Sequence, residues 1–75
     1  MNNFQMKKVL ITGANGYIGK CLYYFLKKKF KVIGIDKEKS IEKNIIQCNI
    51  LNKRKLDKVI KSKKPEIIIH LAAQS

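Results

Sequence analysis

The sequence predicts an α/β fold: a parallel sheet of four strands in the order 3-2-1-4, with helices on both faces. Three observations carry that expectation. A short apolar run, Val9, Leu10 and Ile11, breaks at Thr12 into glycines at 13, 16 and 19, where an amphipathic helix begins. Further apolar runs at Lys31–Asp36 and Glu66–Leu71 alternate with polar or amphipathic stretches, the pattern of parallel strands joined by crossovers. The last run is continuously apolar, the signature of a strand covered on both faces.

Each element follows from local chemistry. The first strand is Lys8–Thr12, after a polar segment, Met1–Lys7, that is expected to fray. The first helix spans about Tyr17–Lys29, because Ile18, Cys21, Leu22, Phe25 and Leu26 fall on one stripe of period 3.6. The lysines at 27–29 suit the negative end of its dipole, and Cys21 on the stripe reads as packing. Strand two is Lys31–Asp36, with Val32, Ile33 and Ile35 as β-formers. The charged stretch Lys37–Asn44 is too short for a full crossover helix and reads as a loop or a single turn. A brief third strand covers about Asn44–Cys48. Asn52 then caps a helix that reaches about Lys63, with Leu56, Val59 and Ile60 facing inward. Pro65 cannot extend that helix and leads into strand four, Glu66–Leu71. Right-handed crossovers send strands one to three outward in one direction and return strand four to the other side of strand one. The two helices therefore cover opposite faces, and the glycine turn lies at the switch point between strands one and four.

Seventy-five residues make one small domain or a piece of a larger one. A hydrophobic content of 45% argues against disorder. No apolar run approaches the ~20 residues that cross a bilayer, and the apolar stretch after the first lysines is too short for a secretory leader. A cytoplasmic location is the resulting expectation. The formal charge of +12 would suit an acidic partner such as nucleic acid. All of the 17 basic residues except Arg54 are lysine, however, and arginine is the residue favoured for bidentate reading of phosphates and bases. Solvated lysine faces in a chain rich in isoleucine and asparagine account for the charge, and nucleic acid is not the expected partner. Cys21 and Cys48 have no metal-ligand spacing and read as reduced thiols.

The glycine turn has a physical purpose at each position. Gly13 lets the chain leave the strand sharply. Gly16 leaves room for a pyrophosphate to approach the backbone. Gly19 lies in the first helical turn, at a cost of up to ~1 kcal/mol relative to alanine, which close helix–strand packing explains. A G-x-x-G-x-x-G pattern between a strand and a helix brings a pyrophosphate onto free N–H groups at the helix N-terminus. Asp36 ends strand two, about twenty residues past the turn, where a carboxylate accepts hydrogen bonds from adenosine ribose hydroxyls. Its charge repels a 2′-phosphate and favours NAD over NADP, although Lys37 beside it works the other way.

With these residues in place, the chain resembles the N-terminal part of the extended short-chain dehydrogenase/reductase family, the NAD-dependent sugar-nucleotide epimerases and dehydratases, which carry a Rossmann fold. Thr12 to Gly19, TGANGYIG, matches that family's T-G-x-x-G-x-x-G turn. Asp36 matches its ribose-binding acid, and Cys48-Asn49-Ile50 falls where the family has an acidic-aliphatic pair beside the adenine. Pro65 to Ala73, PEIIIHLAA, resembles its strand-four motif P-D-x-V-I-H-L-A-A. The resemblance implies that backbone groups around Asn15, Tyr17 and Ile18 meet the pyrophosphate of NAD. It implies Asn49 and Ile50 at the adenine, with Leu71, Ala72 and Ala73 along the adenosine ribose and beyond. Asn49 departs from the family's usual aspartate, but its carbonyl retains the acceptor that an adenine amino group needs. Gln74-Ser75 is more similar to the 4,6-dehydratases than to the epimerases. The resemblance further implies a nucleoside-diphosphate sugar as substrate and a homodimeric full-length enzyme.

The family's chemistry, a transient oxidation of a sugar carbon by NAD, uses a Tyr-x-x-x-Lys pair that this sequence does not carry in a suitable place. Tyr17, Tyr23 and Tyr24 all belong to the first helix. His70 is the only histidine; near the end of an apolar strand it reads as a hydrogen-bonded structural imidazole, since no partner base or nucleophile accompanies it. The sequence thus reads as the cofactor-binding segment of an incomplete domain, with no catalytic residue; strand four is then expected to keep a bare edge and the sheet faces incomplete cover. The alternative is a small lysine-rich module for an acidic partner, in which the glycine turn is a relic.

Overall fold

Alternation of apolar runs with polar or amphipathic stretches gives six elements in the computed structural model, which describes residues 6–72. They are β1 (Lys8–Thr12), α1 (Tyr17–Leu26), β2 (Lys31–Asp36), β3 (Ile45–Gln47), α2 (Lys53–Lys63) and β4 (Ile67–His70). All strand pairs are parallel, in the order β3-β2-β1-β4. Val9 pairs with Val32 on one side and with Ile67 on the other, so the turn after Thr12 emerges between the ends of β2 and β4. The expected topology is the observed one. The expectations for Met1 to Gln5, and for Ala73, Gln74 and Ser75, lie outside the described residues.

Side-chain alternation divides the core into two layers, one on each face of the sheet. Val9, Ile11 and Val32 point toward α1 and pack with Ala14 and Tyr23. Leu10, Ile33 and Ile35 point the other way and pack with Cys48 and with Leu56, Val59 and Ile60 of α2. The second helix matches its sequence reading closely. Asn52 Oδ1 accepts from Lys55 N at 3.2 Å as the N-cap, and Leu56, Val59 and Ile60 form the inner face. The chain leaves α2 through Lys64, whose φ of 51° is left-handed, before Pro65 redirects it.

Three sequence expectations change. The first helix stops at Leu26, not Lys29: Lys29 N and Phe30 N both donate to Leu26 O, closing a turn that feeds β2. Lys27 instead places its ammonium over the rings of Tyr23 and Tyr24, 5.5 and 5.2 Å from their centroids. The buried stripe is also rotated. Gly19, Leu22, Tyr23 and Leu26 face the sheet, whereas Ile18 is 67% exposed, Phe25 is 68% exposed, and Cys21 is exposed and so does not pack. The cause is steric: a Cβ on Gly19 would stand 2.0 Å from the Gly13 carbonyl oxygen, so this position must meet the turn and fixes the helix's rotation. Finally, the two-sided cover that the apolar run of β4 suggests is not found, whereas the bare edge expected of an incomplete domain is: among the described residues β4 pairs only with β1, with Ile67 40% and Ile68 51% exposed.

Two outcomes follow. Replacing Lys64 by glycine removes the left-handed strain of an L-residue and should raise unfolding free energy by about 0.5–1 kcal/mol, read from denaturant midpoints. The open apolar edge of β4, with Ile18 and Phe25 uncovered, makes the 75-residue polypeptide on its own marginally stable or self-associating. Sedimentation showing a monomer that also melts cooperatively would contradict this.

Candidate functional site

The three glycines of the turn are glycine for different reasons. Gly13 has a φ of +75°, and a Cβ there would lie 2.8 Å from Ala72 N and 3.0 Å from the Leu71 carbonyl carbon. Both its backbone angle and the approach of the β4 end exclude a side chain. Gly19 is buried directly beneath the Gly13 carbonyl, as the packing argument anticipates. Gly16 is different. Its φ of −76° and ψ of 175° are open to any residue, and a Cβ would meet nothing nearer than Gly13 O at 3.4 Å. The fold itself does not require glycine at position 16.

What lies in front of Gly16 is a cavity of about 420 Å³ at the carboxyl ends of the strands, within the range of small-ligand and cofactor pockets. Gly13 and Gly16 form its turn side, and Ile35, Asp36 and Lys37 its β2 side. Cys48, Asn49, Ile50 and Leu51 close it from the segment after β3, and Leu71 and Ala72 from the end of β4. Beside it α1 starts with Gly16 as its N-cap, which supplies no side-chain acceptor, and the first turn holds no acidic residue. The N–H groups at Tyr17 and Ile18 are therefore left for an anion, where the helix dipole favours negative charge. The N-terminus of α2, capped by Asn52, offers a contrast.

The rim of the cavity is cross-braced. Gly13 N and Ala14 N both donate to Ile35 O, at 2.8 and 3.1 Å, and Cys48 N donates to Asp36 O at 2.8 Å. The Asp36 carboxylate is held at both oxygens: Oδ2 accepts from Asn15 N and Oδ1 from Glu38 N, each at 2.9 Å. A carboxylate oxygen accepts more than one hydrogen bond, so each keeps capacity for a ligand hydroxyl. The loop from Lys37 to Asn44 is pinned to α1 by Tyr24 Oη, which donates to Glu42 Oε2 at 2.6 Å. That bond pushes the Tyr24 phenol above its ordinary value, and burial, reinforced by the Glu42 carboxylate, pushes Tyr23 up as well. Both phenols stay protonated at neutral pH, which fits packing and bracing rather than proton transfer.

The sequence-predicted residues divide into three groups. Gly13, Gly16, Asp36, Asn49, Ile50, Leu71 and Ala72 converge on the one cavity. Asn15 and Tyr17 border a shallower depression on its helix side, beside Lys20 and Tyr24. Ile18 turns its side chain outward and Gly19 is buried beneath the turn, so these two reach the site only as backbone and as packing. Asn49 Oδ1 already accepts from Leu51 N at 2.9 Å, leaving one lone pair and the amide N–H groups for other contacts. Ile35, Cys48 and Leu51 line the cavity without having been singled out as site residues. Sequence reasoning also missed the role of Thr12, whose hydroxyl Oγ1 takes the N–H groups of Leu71 and Ala72 at 3.0 and 3.2 Å. Its place at the head of the glycine motif was the available signal.

A glycine turn, a bare helix N-terminus and an acid at the end of β2, all meeting at the switch point of a parallel sheet, define a nucleotide-binding crevice of the Rossmann type. The chain belongs to the NAD dependent epimerase/dehydratase family, whose profile matches residues 9–75. It is 37% identical over 68 residues to GDP-6-deoxy-D-talose 4-dehydrogenase of Aggregatibacter actinomycetemcomitans, covering 88% of this chain and 21% of that protein. It is 34% identical over 84 aligned residues to dTDP-D-glucose 4,6-dehydratase of Dictyostelium discoideum, covering 91% of this chain and 19% of that protein. Among solved structures, dTDP-4-dehydrorhamnose reductase from Bacillus anthracis str. Ames, in complex with NADP, superposes with a TM-score of 0.79 at 32% identity, over 99% of this chain and 24% of that one. The chain thus spans about a fifth of the length of the curated relatives it matches.

The contrast between two glycines is directly testable. Gly19→Ala drives a methyl into the Gly13 carbonyl and should cost about 3 kcal/mol of stability. Gly16→Ala should cost under about 1 kcal/mol, as a helix-cap change, yet weaken dinucleotide binding at least tenfold. Chemical denaturation and calorimetric titration of both variants separate the two roles.

Proposed function

We propose that this chain holds the adenosine and pyrophosphate of NAD within an enzyme that acts on a nucleoside-diphosphate sugar as an epimerase or 4,6-dehydratase. The observation that carries the reading is Gly16: a glycine that neither backbone angle nor protein packing requires, facing a cavity beside uncapped helix N–H groups. In this reading the backbone N–H groups of Tyr17 and Ile18, with Asn15 alongside, bind the pyrophosphate. Asp36 accepts from the adenosine ribose hydroxyls, with its carboxylate already oriented by Asn15 N and Glu38 N. Asn49 and Ile50 flank the adenine, and Leu71 and Ala72 lie along the adenosine ribose. Gly19 shapes the turn from beneath, while Gly13 both shapes it and borders the cavity. NAD supplies a hydride acceptor for transient oxidation of a sugar carbon, while the groups that move protons and bind the sugar come from elsewhere in the enzyme.

The segment is the N-terminal part of an NAD-binding domain in this proposal, and the full-length enzyme is a cytoplasmic homodimer. No helix among the described residues is long and apolar enough to cross a membrane. The other reading, a lysine-rich module for nucleic acid or another acidic partner, finds no support in the family match or in the relatives, which are a dehydrogenase, a dehydratase and a reductase.

Cofactor choice tests the role of Asp36. A fixed carboxylate at the ribose position accepts from two hydroxyls and repels a 2′-phosphate, so the enzyme should bind NAD more tightly than NADP despite Lys37 on the same rim. Asp36→Ala should weaken NAD at least tenfold and narrow the difference between the two cofactors. Calorimetric titrations with both dinucleotides read the result, and an Asp36→Ala variant with unchanged NAD affinity would remove the carboxylate from the site.

A further inference from the structure

The end of β4 depends on one hydroxyl. Thr12 Oγ1 has three hydrogen-bond neighbours: Leu71 N at 3.0 Å, Ala72 N at 3.2 Å and His70 Nδ1 at 2.7 Å. A threonine hydroxyl has two acceptor lone pairs and one proton to donate. The two backbone N–H groups can only donate to it, which leaves its own proton for the third neighbour, and an Nε2–H ring offers Nδ1 as the acceptor. Thr12 and His70 are cross-strand partners on β1 and β4, 58 residues apart in sequence. Leu71 N also donates to Thr12 O at 3.1 Å, so the chain leaving β4 is gripped by both oxygens of one residue.

The grip bears on the cavity because the atoms it fixes form one of its walls. Leu71 and Ala72 line the pocket, and their peptide lies against Gly13, where an added Cβ would stand 2.8 Å from Ala72 N. A displacement of that peptide either closes on the glycine turn or opens the wall. We propose that His70 is a positioning residue of the cofactor site: by accepting the Thr12 hydroxyl proton at Nδ1, it commits the lone pairs of that oxygen to the Leu71 and Ala72 amides and sets the wall that the dinucleotide meets. The role in affinity rests on the cofactor reading above; the hydrogen-bond pattern does not.

Two measurements on the intact protein test this. Long-range proton–nitrogen correlation NMR of the imidazole at neutral pH should show the Nε2–H tautomer; an Nδ1–H ring would overturn the proposal. In titrations with NAD, His70→Leu, which has no acceptor, should bind about tenfold more weakly, the scale of one lost hydrogen bond. Its Leu71 and Ala72 amide resonances should move. His70→Asn places a carbonyl acceptor near the position of Nδ1 and should restore affinity to within about threefold, a rescue that loss of packing alone would not give. Equal affinity in wild type and His70→Leu, or no rescue by asparagine, would overturn the positioning role. A wild-type protein with the Nε2–H tautomer that binds no NAD would defeat the cofactor reading, and with it the claim on affinity.

Discussion

The contact between Gly19 and the Gly13 carbonyl is the constraint on which the rest of the structure depends. No side chain fits between them, since a Cβ on Gly19 would lie 2.0 Å from that oxygen. The helix is thereby seated directly on the turn that leaves the central strand. Its rotation follows: Tyr23, one turn further on, is driven into the core beside Val9 and Ile11, and Leu22 and Leu26 pack on either side. The position of its first turn follows too. The unpartnered N–H groups of α1 open beside the cavity that β2, the segment after β3 and the end of β4 complete. Helix packing and the position of the helix N-terminus are set by the same pair of glycines.

Around that contact, hydrogen bonds between distant strand ends make the crevice rigid. Ile35 O accepts from two amides of the turn, Asp36 bridges the turn and its own loop, and Thr12 holds the end of β4. Apart from the local Asp36–Glu38 bond, each brace joins segments that are far apart in sequence and adjacent at the carboxyl edge of the sheet. A site built this way has little to rearrange when a ligand arrives, which keeps the ordering cost of binding low. The side of the sheet beyond β4 lacks cover, and there the apolar side chains of Ile67 and Ile68 remain exposed.

Much of this was legible in the sequence because the signals are local. The bounds of β1 and β2, the Asn52 cap and the inner face of α2 follow from runs, caps and periodicity within a few residues. The phase of α1 was half legible: Leu22 and Leu26 of the expected stripe pack on the core, but Ile18, Cys21 and Phe25 fit the helical period as well as Gly19 and Tyr23 do, and a hydrophobic pattern does not count a glycine as a contact residue. The apolar run of β4 alone points to two-sided cover, because it records what a strand is suited to, not which neighbours it has; the missing Tyr-x-x-x-Lys segment was the signal for the bare edge that is observed. Convergence of Gly16, Asp36, Asn49 and Ala72 on one cavity was foreseen through the family motif. That His70 is a hydrogen-bonded imidazole was legible from its place at a strand end, but its partner Thr12 lies 58 residues away and was not.

If the glycine turn, the end of β2 and the end of β4 jointly hold the adenosine half of a dinucleotide, a crystal structure of the intact protein grown with NAD should place the pyrophosphate within hydrogen-bond distance of the Tyr17 and Ile18 amides. The adenosine ribose should sit on the free lone pairs of Asp36, with Gly16 directly against the ligand. A dinucleotide bound elsewhere, or one whose ribose avoids Asp36 while Gly16 faces open solvent, would contradict this arrangement.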